Sequence, residues 1–508
     1  MNRSEPHPVQ IVWFKRDLRI HDHAPLVNAA SRGPCLGLYV YEPDLLQAPD
    51  FDAAHLAFIN QSLEELRSNL RRLGSELILR RGSVIEAFKQ LDRQFRIASV
   101  WAHEETGNGI SYQRDKAVRL WVRDQPWKLI ELPSNGVIRR LASRDGWSRQ
   151  WQKRMNESIL AAPKELTSPT VDDPGSILQP DQMRIHRVPR NELQKGGESF
   201  ANQYLESFLQ IRGPRYRTEM SSPVTAFESC SRISPYLAYG NLSVRTVFQA
   251  TAIRTAELKE QKKSGIEIDP DWLKSLSSFK SRLSWHCHFI QKLEDEPDIE
   301  FHNFNRGYDG LRENEFDRSF FDAWCQGRTG YPMVDACMRA LSQTGWINFR
   351  MRAMLMSFAA YHLWLHWREP ALHLARLFLD YEPGIHYSQC QMQSGVTGIN
   401  TIRIYSPIKQ VSDHDPQGIF IRKYLPELEG IPDKHLAEPH KMNLMEQSLF
   451  GCQIGKDYPA PIVDHKQRYR IARDRMHSVK RSSEVKAASQ KVYQKHGSRK
   501  QPMSQRSR

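Results

Sequence analysis

The chain has 508 residues, a formal charge of +14, 40% hydrophobic residues and 26% charged residues, a composition typical of a globular protein with room for two or three domains. It contains no run of about 18 apolar residues, which argues against a membrane span, and its start, MNRSEPHPVQ, lacks the apolar core of a secretory signal, so a cytoplasmic location is expected. Seven scattered cysteines (Cys35, Cys230, Cys287, Cys325, Cys337, Cys390, Cys452) without a CxxC pair disfavour a disulfide framework, a zinc site or an iron-sulfur cluster, and no metal is expected.

Taken in chain order, residues 9 to 14 and 36 to 41 read as buried strands, with room for a crossover helix over 21 to 31 between them. Leu56, Ile59, Leu63, Leu66, Leu70 and Leu73 alternate spacings of three and four and predict an amphipathic helix. Further strands over 76 to 79 and 97 to 101 complete the pattern of an α/β domain, residues 1 to 140, with a doubly wound, mainly parallel sheet. Residues 141 to 197 read as a linker, because five prolines and polar spacers fall between 158 and 196. From 198 to 475 the pattern is helical, predicting a large all-α domain. Residues 476 to 508 carry nine Lys/Arg against Glu484 alone, supply +8 of the net charge and read as a disordered basic tail. Such a tail suits loose contact with nucleic acid, and equally a solvated end.

The densest chemistry lies in GRTGYPMVDACMRALSQTGWINFRMR, residues 327 to 352. Gly327, Gly330 and Pro332 permit a tight turn before a helix whose apolar stripe is Val334, Met338 and Leu341. Gly345 ends it, and Trp346, Arg350 and Arg352 follow with Met351, Leu355 and Phe358 on a second helical pattern. Aromatic and guanidinium groups thus meet where two helices join, which suits a flat anionic cofactor; on composition alone a plain core turn reads as well.

Ordered motifs now carry a resemblance: VWFKRDLRIHD (12 to 22), SCSRISPYLAYGNLS (229 to 243), the segment just quoted, DHDPQGIFIRKYLPEL (413 to 428) and YPAPIVDHK (458 to 466). Together they resemble the photolyase and cryptochrome family, in a divergent bacterial-type branch. The resemblance implies FAD in the helical domain. Tyr216, Cys230, Ser231, Arg232, Ile233 and Ser234 match the segment that holds the FAD diphosphate, with Cys230 in place of the usual Thr. Hydroxyls and a guanidinium there suit phosphate oxygens. Arg352 and Asp380 match an ion pair beside the flavin ring, Glu382 an acceptor for flavin N3, and Asn348, Trp324 and Trp346 other pocket positions. Without the family, Arg352 and the two carboxylates read equally as surface ions, and the tryptophans as core.

Departures are as telling. His386 falls where an Asn usually faces flavin N5, Cys390 replaces the flavin-proximal tryptophan of the electron-transfer triad, and Asn314 stands near the outer one. Trp367 matches the middle member, and Trp364, Tyr361, Tyr381 and Tyr387 offer another route. Trp285 matches an aromatic that packs against a flipped-out pyrimidine dimer, while Arg282 replaces a carboxylate and Met392 a tryptophan of that site. His286 and His288 project too far apart around a helix for a good metal site. Arg350, Arg403, Lys409 and Arg422 are candidate phosphate contacts at the pocket mouth. Ser111 stands where a folate-binding Glu is expected, which counts against a folate antenna and leaves a deazaflavin, a second flavin or an empty site open.

The resemblance implies a monomeric photolyase that splits cyclobutane pyrimidine dimers in UV-damaged DNA, and the altered lesion residues suggest a preference for single strands. The alternatives are a cryptochrome-like blue-light photoreceptor, a DNA-binding relative without repair activity, and a six-four photoproduct photolyase, the last suggested by His386 and His288.

Overall fold

The structure is a computed structural model that describes residues 8–182, 185, 190 and 192–497. Five strands, β1 (Val9–Trp13), β2 (Cys35–Tyr41), β3 (Leu77–Arg81), β4 (Ile97–His103) and β5 (Lys128–Leu132), form one parallel sheet in the order β3-β2-β1-β4-β5. The crossover helices α1 (Ala24–Ala30), α2 (Ala53–Leu73), α3 (Val84–Phe95) and α4 (Gly109–Val122) alternate with the strands. β1 is buried along its whole length and β2 at all but one residue, as expected where both faces of a sheet are covered. β5, KLIEL, has no fully buried residue, which is why its mixed sequence did not read as a strand. The leucine-rich helix is α2; Asp52 and His55 close a capping box at its start and Gly74, at φ +96°, ends it.

The expected linker is more ordered than its prolines suggest. Trp147–Met155 is helical and buries Trp147, Trp151 and Met155. Beyond it the chain bonds to the α/β layer, Leu166 N to Leu73 O at 2.6 Å, Cys35 N to Thr167 O at 2.8 Å and Leu79 N to Pro174 O at 2.8 Å.

From Glu198 on, the chain is helical. The elements that build the site are α5 (Trp272–Asp295), α6 (Pro332–Thr344), α7 (Phe349–Ser357) and α8 (Pro383–Ser394). Gly345 caps α6 in the left-handed region at φ +68°, as its place in the sequence required. The disordered-tail expectation fails for residues 476–496. They lie in α9 (His465–Lys480) and α10 (Ser483–His496), and α10 buries Val485, Val492 and His496 against the helical domain. Ser482 caps α10 and Val485 packs on Gly307; sparse apolar residues sufficed because they fall on one face. Residues 498–508 of that segment lie outside the described residues. Among the described residues, no helix is long and apolar enough to cross a membrane.

Candidate flavin and DNA site

A cavity of about 590 Å³ opens in the helical domain between α5, α7, α8 and the 230–238 segment. Its wall carries Arg232, Arg282, Arg350, Arg352 and Arg403 against Asp380 and Glu382, so it favours an anion.

At one wall Arg352 forms a two-pronged pair with Asp380, Nη1 to Oδ1 and Nη2 to Oδ2 both at 2.9 Å. Its Nε donates to Ile347 O at 2.8 Å and its guanidinium lies 4.1 Å from the Phe378 ring centre. Neither residue is a loose surface ion: the side chains are 23% and 4% exposed. Glu382 follows, held 3.7 Å from Arg16. Burial pushes its carboxyl up to about 7, against the pull of Arg16.

Arg16 belongs to the 12–22 motif, whose role is to join the domains. It donates to Tyr381 O at 2.6 Å and Ala238 O at 2.8 Å, while Arg19 donates to Gly240 O at 2.8 Å. The motif is itself braced by Asp17, which accepts from His23 Nε2 at 2.9 Å and His103 Nδ1 at 2.7 Å. Burial opposes ionisation of Asp17, yet these two histidines hold it well below the usual range. His23 Nδ1 accepts from Leu26 N, so its Nε2 carries the proton that Asp17 receives. The three side chains are close enough to hold a cation, but hydrogen bonds already occupy the facing atoms.

The expected phosphate segment lines another wall through Tyr216, Cys230, Ser231, Arg232 and Ser234. Arg232 sits at φ +58°, a strained region for a non-glycine residue and one enriched at functional sites. Arg212 gathers the carbonyls of Glu228 (2.8 Å), Cys230 (2.5 Å) and Ser231 (3.2 Å), and the Arg232 guanidinium lies 4.2 Å from the Trp346 ring. Ile233 departs from expectation: it is buried in the core and off the cavity wall. Trp324 departs too, fully buried against Phe321 and His373, whereas Trp346 does line the cavity.

α8 presents Ile385, His386, Gln389, Cys390 and Gln393, one helical face. Met392, expected at the lesion, falls outside that face and off the wall, whereas Gln393 lies on it. His386 donates Nε2–H to Ala371 O at 2.8 Å, and burial lowers its pKa to about 4, leaving a neutral ring. Cys390 Sγ lies 3.6 Å from the same nitrogen.

At the mouth, Trp285 is 50% exposed and the Arg282 guanidinium lies 4.5 Å from its ring. Phe349, also on the wall and 53% exposed, had no sequence signal beyond its place after Asn348. Arg350 and Arg403 line the cavity, but Lys409 does not, and Arg422 is bound to Ile431 O and Asp433 at 2.6 and 2.7 Å. His286 is on the wall, whereas His288 is turned away and paired with Arg144, which removes it as a cavity histidine. Trp367 and Trp364 are buried behind the cavity, not in its wall.

Three wall residues keep a buried oxygen without a hydrogen-bond partner: Asn348 Oδ1, Glu382 Oε1 and Gln389 Oε1. Buried acceptors left unmet are costly, and together with the arginines and the apolar wall they fit a flat anionic cofactor with ring N–H groups, as FAD is.

Comparison with known proteins agrees. Residues 279–478 match the FAD binding domain of DNA photolyase and residues 10–142 match the DNA photolyase family. A cryptochrome DASH of Gloeobacter violaceus is 29% identical over 478 residues, covering 89% of this chain and 93% of the relative. A deoxyribodipyrimidine photo-lyase of Alkalihalophilus pseudofirmus is 27% identical, covering 91% and 96%. The crystal structure of a bacterial class III photolyase from Agrobacterium tumefaciens superposes with a TM-score of 0.80 at 26% identity, covering 95% of this chain and 100% of that one. The α/β sheet, the helical FAD-binding region and the two matched families together place this chain in the photolyase and cryptochrome family.

Proposed function

We propose that this protein is a light-driven photolyase that splits cyclobutane pyrimidine dimers in DNA and favours lesions in single strands. The observation that carries the reading is the mouth of the cavity, where the half-exposed Trp285 ring, stacked with Arg282, stands on the same wall system as the Arg352–Asp380 pair. An exposed aromatic at a basic opening suits a base taken out of its stack. Reduced FAD, when bound, supplies the electron that light sends to the dimer and receives it back. The protein's own residues do the rest. Arg352 and Asp380 would hold the ring's flank, Glu382 and Asn348 would offer acceptors, Arg232 and the serines would hold phosphates, and the apolar walls would exclude water.

A carboxylate in place of Arg282 would accept base N–H groups; a guanidinium grips phosphate instead and asks less of a paired partner strand. Matched single-stranded and duplex oligonucleotides with one thymine dimer test this. The wild type is expected to bind the single strand more tightly, and Arg282→Glu to narrow that ratio; equal binding by the wild type, or an unchanged ratio in the variant, contradicts the strand preference.

A smaller cavity of about 110 Å³, lined by Trp13, Tyr39, Tyr41 and Tyr381 among others, suits an aromatic antenna pigment. Ser111 lines it with its hydroxyl bonded to Asn108 O at 2.9 Å and brings no carboxylate, so a folate there has no support from that residue.

A further inference from the structure

The tryptophan series that would carry electrons to the flavin is broken at Cys390, and the buried aromatics near the cavity are not equal substitutes for it. The indole of Trp364 lies between two guanidinium groups, Arg312 at 4.5 Å and Arg475 at 4.9 Å from the ring. An oxidised indole is a cation, and the buried Arg312 opposes the loss of an electron there, whereas the charge of Arg475 is offset by its pair with Glu315 at 2.7 Å. Tyr361 has Arg312 5.4 Å from its ring, and its hydroxyl has no hydrogen-bond partner. A phenol gives up an electron readily only if its proton can leave, and Tyr361 has nowhere to send it.

Tyr381 differs on both counts. It lines the large cavity and the smaller aromatic cavity alike. Its hydroxyl donates to Asp50 Oδ2 at 2.6 Å, a charge-assisted bond of short length. The Tyr387 oxygen is 3.2 Å from that of Tyr381 and 3.4 Å from the same carboxylate oxygen. Asn108 Nδ2 donates to the same Asp50 Oδ2 at 3.2 Å. Trp367 lies next, its ring centre 6.3 Å from that of Tyr387. The side chains of Tyr381, Tyr387, Asp50, Asn108 and Trp367 are all buried.

We propose that Tyr381 and Tyr387, with Asp50 as proton acceptor, are the electron donor that photoreduces oxidised flavin in this protein. Tyr381 would give one electron to light-excited flavin held in the cavity; its phenol O–H bond would break and the proton form an O–H bond with Asp50 Oδ2, leaving a neutral tyrosyl radical. A hydrogen atom passing from Tyr387 to Tyr381 moves the radical one ring away from the cavity wall, toward Trp367. An external thiolate gives the replacing electron to the Tyr387 radical and becomes a thiyl radical, and Asp50 returns its proton to the Tyr387 oxygen. Burial and the carboxylate together hold Tyr381 well above the usual phenol range, so it starts protonated and its proton must travel with the electron.

The proposal rests on the flavin reading, and flash photolysis of the purified, flavin-bound protein separates the two. The wild type is expected to form a tyrosyl radical together with one-electron-reduced flavin, more slowly in heavy water. Asp50→Asn and Tyr387→Phe are expected to lower steady photoreduction by about tenfold at unchanged flavin content, while Trp364→Phe leaves it as in the wild type. A tryptophanyl radical that disappears in Trp364→Phe, or wild-type photoreduction in Asp50→Asn, overturns the assignment and leaves flavin binding intact. Protein that cannot be loaded with FAD overturns both.

Discussion

Arg352 and Asp380 behave as one group: each satisfies the other, and the carboxylate is almost wholly buried. Removing the guanidinium strands a charge. Arg352→Ala is therefore expected to cost about 3 to 5 kcal/mol in denaturant unfolding of the apoprotein and to reduce FAD retention, whereas full stability with full FAD content would contradict the assignment. Arg352→Lys keeps the charge but not the fork and should fall between. Glu382 gives a pH signature. Its folded pKa of about 7 lies above the ordinary 4.5, so between those values the folded apoprotein binds more protons than the unfolded chain. Stability contributed by this group is complete below the lower value and is lost as pH rises to the upper one. Glu382→Gln removes that dependence, and the stability difference between wild type and variant should change by up to about 3 kcal/mol across the window. Parallel curves would contradict it. The sequence made these residues legible through motif position. It could not show Tyr381 meeting Asp50, 331 residues apart, because no local pattern encodes a contact between domains.

At the scale of elements, the cavity depends on how closely α5 and α8 approach. Gly384 permits this: a Cβ there would stand 2.6 Å from Ile290 Cα, a backbone atom that cannot turn aside. Gly384→Ala is expected to cost about 1 to 3 kcal/mol and to lower FAD content by spreading the helices that carry Trp285 and His386; a thermal melt and flavin absorbance read both, and a neutral effect would show that the helices have slack. Helix facing also explains what the sequence reading missed. α8 turns Met392 away because its cavity face runs through Ile385, His386, Gln389, Cys390 and Gln393, and an alignment to relatives by motif does not report that rotation. α10 was missed because two buried valines, Val485 and Val492, with His496 on the same face, are enough to dock a helix whose average composition is polar.

For the molecule as a whole, the α/β layer does more than sit beside the flavin region. Arg16 and Arg19 reach from the 12–22 motif to carbonyls at residues 238, 240 and 381 and so fix the floor of the site. The alternation of buried strands and amphipathic helices made the first domain readable, and the cap glycines made the main helices readable. β5 and the ordered linker were not, since edge polarity and prolines look alike in sequence whether or not the backbone is bonded to a sheet. Repair of DNA by light is the function proposed for this arrangement. The direct measurement is conversion of a defined cyclobutane thymine dimer by the purified protein with chemically reduced FAD, under blue light and in darkness. The account predicts loss of the dimer in the light only, and fastest in the single strand. Reduced flavin bound in the protein, with the dimer intact after illumination in both strand forms, would contradict it.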